Sequence, residues 1–282
     1  GLQDFSISRL KSKMPWGVDV PDDKDHVMYV WFDALVSYIS TLGWPEDKEN
    51  FDKWWTNASN VVQYCGKDNL RQQSAMWQAM LIAAGLPNTH QIVVNGFITA
   101  EGGVKMSKSL GNTVNPLDVV NEYGTDALRY FLLREVQPFE DSPFTMERFK
   151  DAYNAHLANG LGNLVSRVMK MAESNSVALD VKAAPEIDIK KHKALYDSFE
   201  INKVCDDIWS RIQDVDKYIQ ENQPFKTIKV DEIKGKQQIS FCLASIWHIA
   251  VALEPILPET SRLIQQGIKS GKMPEKPLFM RK

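Results

Sequence analysis

The 282-residue sequence has only three cysteines, Cys65, Cys205 and Cys242, and they are far apart, with no CxxC pair. That argues against a disulfide framework or a cysteine zinc site and fits a reducing compartment. No apolar run is long and uncharged enough for a membrane span. The longest, residues 239–257, is interrupted by His248, Glu254 and Pro255 and reads as a buried helix. Neither sign of charge dominates: 33 Lys+Arg stand against 36 Asp+Glu, a net charge of -3. A polyanion must therefore be held by a local patch, not by the whole surface. The five histidines form no HExxH and no close pair, so no metal site is assigned. The first residues, GLQDFSISRL, carry neither an initiator Met nor a signal-peptide pattern, as expected for the interior of a longer gene.

What is present is an alternation of strand and helix patterns. Residues 26–32, HVMYVWF, are β-branched and aromatic and read as a strand, with a helix to follow up to Gly43. Residues 61–66, VVQYCG, read as a second strand. Asp68 opens the next helix, which stops at Gly85 with Pro87 just beyond. Residues 91–97, QIVVNGF, read as a third strand. Alternation of this kind predicts a parallel α/β sheet, whose ligands sit beyond the carboxyl ends of the strands. Two compact helices follow, at 116–124 and 125–136, with Thr125 as a candidate cap. After the turn-rich QPFEDSPF only helical patterns remain, at about 146–173, 189–221, 237–253 and 258–267. KAAPEID and NQPFKT read as connectors. An all-α second domain is expected.

The third strand leads into GGVKMSKSLGN, residues 102–112. Gly102, Gly103 and Gly111 give the backbone freedom. Lys105 and Lys108 supply point charges for phosphate, and Ser107 and Ser109 supply hydroxyls. A basic string this short is usually a solvated loop. Its place after a strand end is where a ligand of a parallel α/β sheet can sit.

KMSKSLGN resembles, residue for residue, the signature loop of class I aminoacyl-tRNA synthetases. YVWFDALVSYIS (29–40), CGKDNLRQQSAMWQAML (65–81) and the terminal PLFMRK resemble motifs of the methionyl-tRNA synthetases within that class. The resemblance covers essentially the whole chain. It implies a Rossmann-like parallel sheet, the second half of a class I catalytic domain, over 1–115. A connecting region over 116–150 and an α-helical-bundle anticodon-binding domain over 151–282 would follow.

The resemblance also implies roles. Trp31, Ala34, Leu35 and Tyr38 would line a methionine pocket, and an aromatic wall with one hydroxyl suits a flexible, polarizable thioether. Asn69 and Gln73, one helical turn apart, would border it. They depart from the family, which has a β-branched residue and often a His there. Leu35 stands where some members have Pro. Gly66 and Asp68 match the motif that binds the ATP ribose, and Ile98 the residue whose backbone holds adenine. Lys105, Met106, Ser107 and Lys108 would contact ATP, with Lys108 and Lys105 the catalytic cations and Mg²⁺ arriving with ATP.

In the helical half, NLVSR places Asn163 and Arg167 at i and i+4, where family members read the anticodon. Pro224 and Phe225 fall where the family stacks a Pro-Trp pair on an anticodon base; Phe can stack but lacks the indole N–H. The implied activity is ATP-dependent activation of methionine and its transfer to tRNA(Met), in the cytoplasm and without a membrane. The HIGH signature of class I enzymes is absent from this sequence. The missing N-terminal half, in cis or as a separate chain, is therefore an expected partner, and the chain alone is expected to be inactive. Two other readings stay open: a non-catalytic tRNA-binding module, and a leucyl- or valyl-type synthetase. Retention of Trp31, Asp68, Lys105 and Lys108 argues against the first, and YVWFDA against the second.

Overall fold

The computed structural model describes residues 6–272 and 276–282. The chain separates into two compact units, Gly1–Gly96 and Phe97–Lys282.

In the first unit, β1 (Ser8–Leu10), β2 (Asp19–Val20) and β3 (Asp23–Met28) form an antiparallel sheet in the order β1-β3-β2. The expected strand at 26–32 thus ends at Met28. The chain turns helical at once in α1 (Val30–Ala34) and α2 (Ser37–Ser40). The β propensity of YVWF loses to packing, because a helical path drives Leu35 and Ile39 into one core with Phe51, Trp55, Met76, Trp77 and Leu81. Asp33 in the first turn also suits the helix dipole. α3 (Lys48–Phe51) is capped by Asp47, whose side chain accepts from the Asn50 N–H.

The expected parallel ladder is formed by β4 (Val62–Gly66) and β5 (Gln91–Asn95), paired in register from Val62↔Gln91 to Gly66↔Asn95. The helix expected between them starts as a short 3₁₀ turn at Lys67–Asn69, widens through Gln72–Met76 and becomes α4 (Trp77–Ala83). No side chain caps its start, so Asp68 is inside the turn rather than before it.

The second unit begins with β6 (Ile98–Thr99), parallel to β7 (Ser142–Pro143). Between them lie α5 (Pro116–Tyr123), capped by Asn115, and α6 (Thr125–Tyr130). Gly124, at φ 90°, is the N-cap of α6, so Thr125 is its first helical residue and not its cap. α7 (Met146–Ala152) runs through wide π-type turns at Tyr153–Gly162 into α8 (Asn163–Ser174), close to the span expected from the sequence.

The helix expected at 189–221 is two: α9 (Ile189–Asp197) and α10 (Ile201–Asn222), broken at Phe199, which takes φ 60°. The supposed connector NQPFKT instead opens a helix, α11 (Pro224–Val230). α12 (Glu232–Leu253) and α13 (Pro258–Ser270) complete the unit. Its core is continuous, from Tyr130, Phe131 and Phe149 through Leu157, Leu161 and Trp209 to Ile239, Leu253 and Ile264. No helix among the described residues is long and apolar enough to cross a membrane.

α11 folds back on α12 at Gly235, where an added Cβ would lie 2.3 Å from the Ile228 Cα. Backbone cannot yield as a side chain can. Gly235→Ala is therefore expected to destabilise the helical unit by about 3 kcal/mol in urea unfolding. An unchanged midpoint would contradict this packing.

Candidate functional site

The first unit gathers four of the six expected pocket residues. Trp31 stands on α1 rather than on a strand, and Tyr38 follows seven residues later, close to two helical turns on. Both pack against the core that contains Leu35 and Trp77. The Gln73 Nε2 donates to the Tyr38 Oη at 2.8 Å. The Tyr38 and Trp77 rings are tilted, 5.9 Å apart. Gln73 is only 3% exposed. Its Oε1 and the Trp77 Nε1 are both buried with no hydrogen-bond partner among the described residues. A spare acceptor and a spare donor beside one tyrosine are costly in a core and mark a place where a polar group can be received. Trp77, four residues after Gln73, was missed in the sequence, although the i, i+4 spacing is legible there.

Ala34 is exposed and Asn69 half-buried, and neither belongs to this core. An apolar hollow of about 630 Å³ in this unit shares Trp77 with the cluster. Phe32, Val36 and Ile39 line it, each one residue on from Trp31, Leu35 and Tyr38, and so from the neighbouring side of the same helical stretch. None of the six expected residues lines it. The chemistry here is read from Tyr38 and Gln73 rather than from hollow size.

Gly66 ends β4, and a Cβ there would meet the Asp68 Oδ1 at 2.8 Å. The glycine lets the carboxylate fold back over the strand end while Asp68 stays exposed. Burial, with this carboxylate nearby, pushes the Cys65 thiol above its usual range.

The second unit contains the loop at 102–112. Gly102, Gly103 and Gly111 take φ values of 68°, 77° and 64°. The turn they allow pairs the Ala100 N–H with the Val104 carbonyl at 2.7 Å and bridges Thr99 to Lys105. Met106 packs against the helical core. The Asn112 side chain accepts from the Ser107 N–H at 2.8 Å and donates to the Lys105 carbonyl at 3.3 Å. The Ser107 Oγ accepts from the Leu110 N–H at 3.2 Å, closing the short turn Lys108–Leu110. The exposed Lys105 ammonium lies 5.1 Å from the centre of the Phe97 ring, a cation–π distance. The Lys108 side chain lies outside what the structure describes. Ile98 is in β6, half-exposed, opposite Ser142.

On α8 Asn163 is exposed and Arg167 is partly so. The Arg167 Nη1 donates to the Asp216 Oδ1 at 2.7 Å, and the Gln220 Nε2 donates to the other carboxylate oxygen at 2.7 Å. Arg167 is thus held by a carboxylate of α10. Pro224 is buried at the start of α11, behind Gln223 in the left-handed region, and leaves the Phe225 ring 46% exposed. The Lys226 Nζ lies 6.0 Å from that ring's centre. These side chains offer a stacking face and amide and guanidinium edges.

The Tyr38 hydroxyl is the recorded partner of the Gln73 amide. Tyr38→Phe is expected to destabilise the first unit by about 1–3 kcal/mol, the cost of stranding a buried amide donor. Thermal melting of the chain checks it, and no loss of stability would mean that the amide re-pairs.

Comparison with known proteins supplies the family. Residues 1–169 match the family described as class I tRNA synthetases (M), and residues 172–277 match the anticodon-binding domain of methionyl tRNA ligase. The methionine–tRNA ligase of Nostoc sp. is 36% identical over 96% of this chain and 53% of its own length. That of Thermosynechococcus vestitus is 38% identical over 94% of the chain and 52% of its own length. The chain spans about half the length of these relatives. A solved structure of Mycobacterium tuberculosis methionyl-tRNA synthetase with methionyl-adenylate superposes with a TM-score of 0.83, at 32% identity over 94% of this chain and 54% of that one. By the match over 1–169, the chain belongs to the methionyl branch of the class I tRNA synthetases.

Proposed function

We propose that the chain works as part of a methionine–tRNA ligase that activates methionine with ATP and passes it to tRNA(Met). The observation that carries this reading is the Gln73–Tyr38 hydrogen bond. It brings residues 35 positions apart into one aromatic cluster with Trp31, Leu35 and Trp77. Such a wall suits a thioether, and the unpaired Gln73 Oε1 and Trp77 Nε1 offer polar contacts beside it. In this reading Ala34 and Asn69 border the entrance. Functionally, residues 1–115 serve the catalytic site, 116–150 connect, and 151–282 bind the anticodon.

In the first step a methionine carboxylate oxygen attacks the α-phosphorus of ATP. The bond from that phosphorus to the oxygen bridging to the β-phosphate breaks, and pyrophosphate leaves with those electrons. Asp68 accepts hydrogen bonds from the ribose, Gly66 gives it room, and the Ile98 backbone receives adenine. Met106 and Ser107 shape the loop, while Lys105 and Lys108 offset charge that builds on the leaving phosphates. Lys105 must leave the Phe97 ring to do so, a modest cost for an exposed cation–π contact.

In the second step a hydroxyl of the terminal tRNA ribose attacks the methionyl carbonyl carbon, and AMP departs. Mg²⁺ would accompany ATP and offset charge on its phosphates. Asn163, Arg167, Pro224 and Phe225 contact the anticodon of tRNA(Met), as exposed amide, guanidinium and ring groups suit unstacked bases. The groups that grip ATP from the other side and the methionine ammonium come from an N-terminal half outside this sequence. The setting is cytoplasmic.

Methionine-dependent ATP–pyrophosphate exchange, in the ligase that contains this chain, tests the reading. Lys108→Ala should lower its rate by about 10²–10³-fold. Asn163→Ala and Arg167→Ala should weaken tRNA charging while exchange stays near wild type. No methionine-dependent exchange by the wild type would overturn the reading, and equal loss in both assays would remove the anticodon role.

A further inference from the structure

The geometry points to Asn112 as a positioning residue that sets the loop lysines for the transfer of the adenylyl group. This rests on the ligase reading. The first arm of the loop is held by the Ala100–Val104 hydrogen bond, the Thr99–Lys105 bridge and Met106 packed on the helical core, and the glycines at positive φ leave the second arm to be fixed otherwise. Between that anchor and Asn115, which caps α5, one side chain among the described residues ties the end of the loop back to Lys105, while the Ser107 hydroxyl closes only the inner turn to Leu110. Asn112 uses both halves of its amide. Its oxygen takes the Ser107 N–H at 2.8 Å, and its nitrogen reaches the Lys105 carbonyl at 3.3 Å.

Gly111, at φ 64°, turns the chain so that Asn112 lies back beneath Ser107. Ser107, fixed by that bond, spends its own hydroxyl on the Leu110 N–H and on the Ser109 hydroxyl at 3.2 Å. The clasp therefore closes a small ring that begins at Lys105 and contains Lys108. Without it Lys105 would keep its bridge to Thr99, but the segment that carries Lys108 would be untied at its far end and would have to be ordered anew at each turnover. The two contacts need one acceptor and one donor on a short, neutral side chain. Asp keeps the acceptor and loses the donor, Ser is too short to span both, and Ala loses both.

Two measurements test this. On the 282-residue chain, trypsin should cut after Lys105 or Lys108 about fivefold faster in Asn112→Ala than in wild type, with cleavage at other exposed lysines unchanged. In the ligase that contains the chain, Asn112→Ala should lower kcat for pyrophosphate exchange by about tenfold or more, Asn112→Asp less, with the methionine KM and the melting temperature unchanged. Loop cleavage and exchange both equal to wild type would overturn the inference. A fall in melting temperature with parallel changes in kcat and the methionine KM would do so too, because the residue would then be structural. If the wild type itself showed no methionine-dependent exchange, the ligase reading would fail and the role in transfer with it, while faster loop cleavage would still establish the clasp.

Discussion

In the proposed reading Lys105 and Lys108 meet phosphate, and cations with that task cannot be held by burial, because a buried ammonium loses more in hydration than a loop contact returns. They have to be held through their backbone. In residues 102–112 that task falls to an amide side chain, a positive-φ glycine turn and one apolar anchor, Met106. The rest of the second unit supplies the platform. α5 begins at an Asn115 cap directly after the loop, and α7 continues through Tyr153–Gly162 into α8, which carries Asn163.

The first unit solves a complementary problem. A pocket for a nearly apolar substrate needs an apolar wall, and a wall that recognises one substrate also needs a few polar atoms held in place. Gln73 and Tyr38 satisfy each other once and leave Gln73 Oε1 over, and the Nε1 of Trp77, whose ring lies 5.9 Å from that of Tyr38, is also without a partner among the described residues. Such spare groups cost stability in a closed core and are tolerated where a ligand completes them. The Asn-for-β-branched and Gln-for-His departures at Asn69 and Gln73 therefore matter unequally. Gln73 is built into the cluster, and Asn69, half-buried, does not belong to it.

Much of this was legible in the sequence, and the failures have physical causes. The loop string, the helix pair after it and the long helix from residue 146 are local patterns, the first helix and the long one opened by Asn115 and Thr145 caps, and the helices appear where expected. The strand at 26–32 was misjudged because aromatic and β-branched residues favour strands, while the helical spacing of Leu35 and Ile39 to their core partners decided the outcome. The break at Phe199 has no glycine or proline to announce it. α11 was missed because Pro224 reads as a breaker when it is in fact at the first helical position, where its missing N–H costs nothing. The placement of Arg167 one helical turn from Asn163 is legible, but its carboxylate partner lies 49 positions away, beyond any local pattern.

The central claim is that this chain confers methionine specificity and joins it to tRNA(Met). The most direct measurement is charging of tRNA by the ligase that contains the chain, with each of the twenty amino acids in turn. The account predicts that methionine alone is transferred, and only to tRNA(Met). Efficient transfer of leucine or valine, or tRNA binding with no amino-acid transfer at all, would contradict it.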